Sequence, residues 1–197
     1  MDIHYSILHI SDLHKGENNN FDHLFASLCN DADLYDRDIP KPEIIVVSGD
    51  LAEGANGDGA EEKIIKQYEE VEYFLNKLVT HFLKGDKSRI IIVPGNHDIY
   101  RGATIRSMEA IPEDLREEAK GRYLNGDPNY RWSWNDFCFY FINNMAEYVS
   151  RFKFFIEFYN RFYDGIRTIN DCDMLNLVID LPQASSPTEV RLVMSET

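Results

Sequence analysis

Acidic, imidazole and amide side chains cluster in three short strings of this chain: Asp12-Leu13-His14, Gly49-Asp50 and Gly95-Asn96-His97-Asp98. Carboxylate oxygens, imidazole nitrogens and amide oxygens are ligands for divalent cations. Asp12 and His14 stand two apart, which on an extended segment points both the same way, so one carboxylate and one imidazole can reach one ion. Asp50 has two oxygens and can bridge a pair of ions. The Asn96 amide offers a neutral ligand, suited to a site that already carries anions. His97 is then left to act on a substrate. Two cations roughly 3.5–4 Å apart lower the pKa of a bridging water, align it for attack on phosphorus and neutralise charge on phosphate oxygens. An uncoordinated imidazole that titrates near neutral pH can protonate a departing alkoxide, and this is the role expected of His97. Asp98 either orients the His97 ring as an acceptor or stabilises the turn.

These strings must be carried by elements that bring them together. Each follows an apolar run, Tyr5 to Ile10, Glu43 to Val47 and Arg89 to Val93, rich in Ile and Val and closed by Ser, Gly or Pro-Gly. Such runs predict buried strands. Between the first two, Phe21, Leu24, Phe25, Leu28, Ala32 and Tyr35 recur at helical spacing, and Pro40 and Pro42 end that excursion. Between the second and third, Ile64, Ile65, Tyr68, Val71, Phe74, Leu75, Leu78, Val79 and Phe82 form a long apolar stripe that Gly85 stops near Lys84. Strand, helix, strand, helix, strand predicts a parallel α/β sheet, with side chains at the carboxyl ends of its strands facing a shared crevice. The loop Gly54 to Gly59 follows Asp50 and reads equally as a mobile rim or a surface turn.

Beyond this core, residues 1–110, the character changes. Pro112-Glu113-Asp114 predicts a helix start running to about Gly121. From Tyr130 to Tyr163 aromatics crowd the chain, and Phe137, Phe141, Tyr148, Phe152, Phe155, Tyr159 and Phe162 fall at three- and four-residue steps. The spacing predicts a helical face used for packing, within an aromatic-rich insertion or cap over 111–170. The last segment, 171–197, is expected to hold one further strand, Met174 to Leu181, and a Gln-Ala-Ser-Ser-Pro loop or tail.

At 197 residues, 44% apolar and 27% charged, the composition is that of a soluble globular domain. The net charge of −14 repels phosphate backbones and disfavours non-specific nucleic-acid binding through a basic surface. Cys29, Cys138 and Cys172 are odd in number and widely spaced, which argues against a disulfide framework or thiolate zinc site and for a reducing, cytoplasmic setting. No signal peptide or membrane span is expected at the N-terminus, because His4 and His9 interrupt its apolar stretch.

The stretches Ile10-Ser11-Asp12-Leu13-His14, Ser48-Gly49-Asp50-Leu51 and Pro94-Gly95-Asn96-His97-Asp98 resemble the first three motifs of the calcineurin-like metallophosphoesterase family, over about the first hundred residues. The resemblance implies an αββα sandwich, a pair of Mn, Fe, Zn or Mg ions with Mn the first choice, and hydrolysis of phosphate esters or pyrophosphates. It implies that Asp12 and His14 hold one metal, Asp50 bridges, Asn96 binds the second, and His97 contacts the phosphate or leaving group. Family members add histidines from later motifs, ending in Gly-His-x-His, whereas this chain has six histidines and none after His97. The expectation is a fold incomplete in this chain, a truncated, split or degenerate phosphoesterase with weak or single metal occupancy. Its strand edge and aromatic face favour a homo-oligomer or a partner subunit. A phosphodiesterase acting on cyclic nucleotides or nucleic-acid ends leads, because Gly49-Asp50-Leu51-Ala52-Glu53 resembles the cyclic-nucleotide branch slightly more than the repair nucleases. A Mn-dependent nuclease and a catalytically silent binding or scaffold module are the alternatives.

Overall fold

The computed structural model describes residues 5–16, 20–34 and 40–170, with the backbone of two further strands at 175–180 and 189–194. Three parallel strands, β1 (Ile7–Ser11), β2 (Ile44–Ser48) and β3 (Ile90–Val93), form a sheet in the order β1-β2-β3. Ile7 stands opposite Ile44, and Ile45 opposite Ile90, so all three runs end level with one another. That register is what lets the loops after Ser11, Ser48 and Val93 meet.

Two helices make the crossovers. Helix α1 (Phe21–Asp33) starts at Asn20, whose side chain accepts from the Asp22 and His23 amides. Helix α2 (Ala60–Leu83) buries Ile64, Tyr68, Val71, Phe74, Leu75, Leu78 and Val79, one continuous stripe at three- and four-residue steps. It ends where Lys84 and Gly85 turn left-handed, Gly85 at φ +87°, a conformation glycine enters without a Cβ clash. The stripe packs with α1 and with a later helix, Lys153–Tyr163. Ile45, Val47, Ile90 and Ile92, fully buried on one sheet face, complete this core.

The segment after β3 departs from the expected helical run. A short helix α3 (Arg101–Ser107) leads into β4 (Met108–Ala110), then α4 (Arg116–Leu124), β5 (Tyr130–Ser133) and β6 (Cys138–Ile142). The strands form an antiparallel sheet in the order β4-β6-β5. Phe137 and Phe141 therefore lie on a turn and a strand, not a helix, with Phe137 at φ +52° in the β5–β6 turn. A four-residue step is an even number and fits the two-residue period of a strand as well as the helical one. The strand places Trp132 against Phe139 and Tyr130 against Phe141 across the ladder. The helical reading holds for the remainder: α5 (Met145–Val149), one 3-10 turn and α6 (Lys153–Tyr163) bury Tyr148, Phe152, Phe155, Tyr159 and Phe162. The aromatic face of α6 closes the core against α2, where Tyr68 stacks on Phe158 with centroids 5.0 Å apart.

Strand β7 (Leu175–Asp180) falls where a strand was expected, and it pairs antiparallel with a second, β8 (Glu189–Met194), where a tail was expected. The Gln-Ala-Ser-Ser-Pro run between them lies outside the described residues, as do Tyr35 and Cys172. No helix among the described residues is long and apolar enough to cross a membrane.

Candidate metal centre

Sheet geometry stacks the three predicted strings as consecutive loops. Beyond β1 and β2 the ladder continues irregularly: His14 N–H donates to Asp50 O at 2.7 Å, Lys15 N–H to Leu51 O at 2.9 Å, and Gly49 N–H to Val93 O at 2.9 Å. Asp12, His14 and Asp50 take φ values of 55°, 43° and 50°. Left-handed backbone in non-glycine residues costs about 1–3 kcal/mol each and collects at functional sites. Three such residues on two adjoining loops are the local signature of side chains held in place by their surroundings.

His14, Asp50 and His97 are brought together, each offering a ligand atom, all within 4.8 Å of one another. His14 Nε2 lies 3.6 Å from Asp50 Oδ2 and 3.8 Å from Asp12 Oδ1. The His14 and His97 rings meet edge to face at 4.7 Å. Asp12 sits on the outer rim, its side chain 68% exposed against 14% for Asp50. Asn96 is exposed in the turn that carries His97. The other Asp50 oxygen accepts from the His97 N–H at 2.9 Å, which ties the second loop to the third. The third loop depends on Gly95, because a Cβ there would fall 2.2 Å from Asp50 Oδ1 and 2.3 Å from Asp50 N.

His97 was expected to be oriented by Asp98. Its Nδ1 instead lies 3.2 Å from the Glu53 carbonyl oxygen. A carbonyl only accepts, so Nδ1 carries the proton and Nε2 is left with its lone pair or, in the imidazolium, a second proton. Asp98 is directed inward and is 3% exposed. Its carboxylate accepts from the Leu51, Ala52 and Gly95 amides at 3.1, 3.0 and 2.8 Å and from the Tyr68 hydroxyl at 3.2 Å. Burial pushes the Asp98 carboxyl up to about 6, against the opposing pull of those four donors. Of the two roles weighed for Asp98, the geometry gives the structural one: it clamps the Asp50 loop to the His97 loop.

Sequence reasoning missed the Glu53 carbonyl and the Tyr68 hydroxyl. Glu53 acts through its backbone, which leaves no mark in residue type, and Tyr68 was absorbed into the apolar stripe of α2. A cavity of about 860 Å³ opens at the cluster, lined by His14 and His97 together with Glu53, Lys63, Gln67 and Arg101. Gln67 is committed to the loop after Asp50, accepting from Gly54 N–H at 3.1 Å and donating to Gly54 O at 3.3 Å. Of the two readings of that loop, its Gly54 end is thus tied down; Gly57 and Gly59, both at positive φ, have open space where a Cβ would stand.

One carboxylate and two imidazoles converging within 4.8 Å, with a second carboxylate at the rim, fit a divalent cation in donor type and spacing. A family model described as calcineurin-like phosphoesterase matches residues 5–195. The chain belongs to the calcineurin-like phosphoesterase family. That match reaches well past the three motifs, across the β4–β6 sheet and the aromatic helices to the β7–β8 pair. Family and donor set together support a metal-dependent phosphoesterase. No curated protein matches the chain.

Proposed function

We propose that this calcineurin-like phosphoesterase hydrolyses phosphodiesters, with Asp12, His14, Asp50 and Asn96 holding two divalent ions, manganese first among the candidates. The observation that carries the reading is the convergence of His14, Asp50 and His97 at the mouth of a cavity of about 860 Å³. Bound divalent ions supply charge neutralisation on the phosphoryl oxygens and activation of water for attack on phosphorus. Asp50, held by the His97 amide, stands between the two loops and is placed to share its oxygens. His97, with Nδ1 anchored on the Glu53 carbonyl, presents Nε2 to the leaving-group oxygen and delivers its proton there. Asp98 holds the Leu51-Ala52 and Gly95 backbones so that these side chains keep their spacing.

The supporting assay is manganese-dependent hydrolysis of bis-p-nitrophenyl phosphate, a cyclic nucleotide and a single-stranded oligonucleotide side by side. Turnover of the first two ahead of the oligonucleotide is expected, since a net charge of −14 opposes a polyanion. Oligonucleotide turnover as the fastest favours the nuclease. No turnover of any substrate, with at most one weakly bound manganese by calorimetry, favours a silent binding module. The free thiols of Cys29 and Cys138 suit a reducing cytoplasm. Ile7, 55% exposed on the edge strand β1, supports association with a second chain, which light scattering measures.

A further inference from the structure

Cations are outnumbered in this chain, 20 Lys and Arg against 34 Asp and Glu. Two such cations line the cavity that holds His14 and His97. Lys63 closes the first turn of α2, and Arg101 is the first residue of α3. Neither has an ion pair or side-chain hydrogen bond among the described residues. The other polar lining groups are differently engaged. Gln67 is committed to Gly54, and the Glu53 carboxylate lies against Gly16, where an added Cβ would meet Glu53 Oε2. An anionic ligand in this cavity therefore meets two cations with no ion pair among the described residues as well as the His14 and His97 imidazoles.

Size points the same way. A cavity of about 860 Å³ falls in the range that holds a whole drug-sized ligand, far more than one phosphoryl group. An Arg fork binds phosphate through two parallel N–H groups, and a Lys ammonium adds a mobile point charge beside it.

We propose that Lys63 and Arg101 form a subsite for a second phosphate of the substrate. The substrate class is then a phosphodiester bearing a further phosphate away from the scissile one, such as a 5′-phosphorylated dinucleotide; a nucleoside bisphosphate carries two separated phosphates and serves as its binding probe. This rests on the phosphoesterase reading above. Water adds to the scissile phosphorus, the bond to the leaving oxygen breaks, that oxygen takes a proton, and the second phosphate stays intact on Lys63 and Arg101.

The test uses the full chain with adenosine 3′,5′-bisphosphate and adenosine 5′-monophosphate as probes. Binding is measured by calorimetry in chelator, so that the readout does not depend on metal or turnover. The wild-type chain is expected to bind the bisphosphate about tenfold tighter than the monophosphate, as for one additional charge-assisted phosphate contact. The doubly substituted Lys63→Gln, Arg101→Gln chain is expected to lose that preference while keeping its monophosphate affinity within about twofold. Lys66→Gln, on the same helix but outside the cavity lining, is expected to keep the preference. Equal wild-type affinity for the two nucleotides overturns the inference, as does a preference that survives the double substitution. Hydrolysis of bis-p-nitrophenyl phosphate with manganese is scored separately. A chain that hydrolyses the ester without bisphosphate preference keeps the phosphoesterase reading and loses the subsite. One that shows the preference and hydrolyses nothing keeps the subsite and loses the reading.

Discussion

Replacing Asp98 separates the two roles open to a carboxylate beside a functional histidine. In the native fold its oxygens accept from three backbone amides, those of Leu51, Ala52 and Gly95, and from the Tyr68 hydroxyl. Asp98→Ala strips the acceptor from two buried amides and the half-buried Gly95 amide, each costing about 1–3 kcal/mol when unsatisfied, or at most about 3–9 kcal/mol together. The same substitution removes a buried charge. The Asp98 carboxyl is raised from 3.8 to about 6, a gap equal to about 3 kcal/mol carried by the ionised folded form at neutral pH. The net loss is therefore about 0–6 kcal/mol, centred near 3, and water entering the vacated space trims the upper end. Asp98→Asn is milder. With its amide nitrogen in the Oδ1 position, Leu51 and Gly95 keep their acceptor, Tyr68 turns from donor to acceptor, and the Ala52 amide alone is orphaned. One orphan at about 1–3 kcal/mol set against about 3 kcal/mol recovered leaves a net change within about 2 kcal/mol at pH 7. The sign with pH follows from linkage. A carboxyl whose folded value lies above its unfolded value contributes full stability below 3.8 and loses it as pH rises through about 6. The stability advantage of wild type over Asp98→Asn should accordingly shrink by about 2 kcal/mol between pH 4 and pH 7. Urea unfolding of metal-free protein at pH 4, 5.5 and 7, read from the midpoints at constant slope, measures it. Parallel pH profiles for wild type and Asp98→Asn would refute the clamp. So would lost hydrolysis at undiminished stability, the outcome demanded of a residue that only orients His97.

Three further substitutions probe the loops themselves. Asp50→Asn removes the carboxylate that faces both His14 and the His97 amide, and should lower manganese content by elemental analysis and manganese-dependent hydrolysis by about 100-fold or more. His97→Ala should cost about 100-fold with an alkyl phosphodiester, whose alkoxide must be protonated, and far less with a p-nitrophenyl ester, whose leaving group needs no proton. Equal losses on the two substrates contradict the acid role. Gly95→Ala puts a Cβ 2.2 Å from Asp50 Oδ1 and 2.3 Å from Asp50 N, so the loop must shift. A destabilisation of about 1–3 kcal/mol with reduced manganese binding is expected from thermal unfolding and metal titration, and a neutral variant rejects the close approach.

What could be read from residue types follows from how each element advertises itself. The three strands lie within a residue or two of their predicted spans, since Ile-rich runs closed by Ser, Gly or Pro-Gly admit few alternatives. Parallel pairing then made the meeting of the Asp12, Asp50 and His97 loops a matter of topology, because strands in register end level. The β4–β6 sheet was hidden because Phe137 and Phe141 satisfy both periods, and the decision belongs to the Phe137 turn and the Trp132–Phe139 pair, which are non-local. Strand β8 was hidden because Glu189–Met194 needs β7 as its template. Asp98 was left with two roles for a different reason. Adjacency to His97 suggested contact, yet neighbouring residues in a tight turn point opposite ways: His97 faces the cavity, and Asp98 turns to the amides of Leu51 and Ala52. A buried carboxylate meeting four donors organises two loops at once, which supports the left-handed backbone at Asp50, while the Asp12–His14 loop is held in turn by the His14 and Lys15 amides on the Asp50 and Leu51 carbonyls. The strain is carried by a frame whose donors are main-chain groups, and main-chain groups carry no sequence signature.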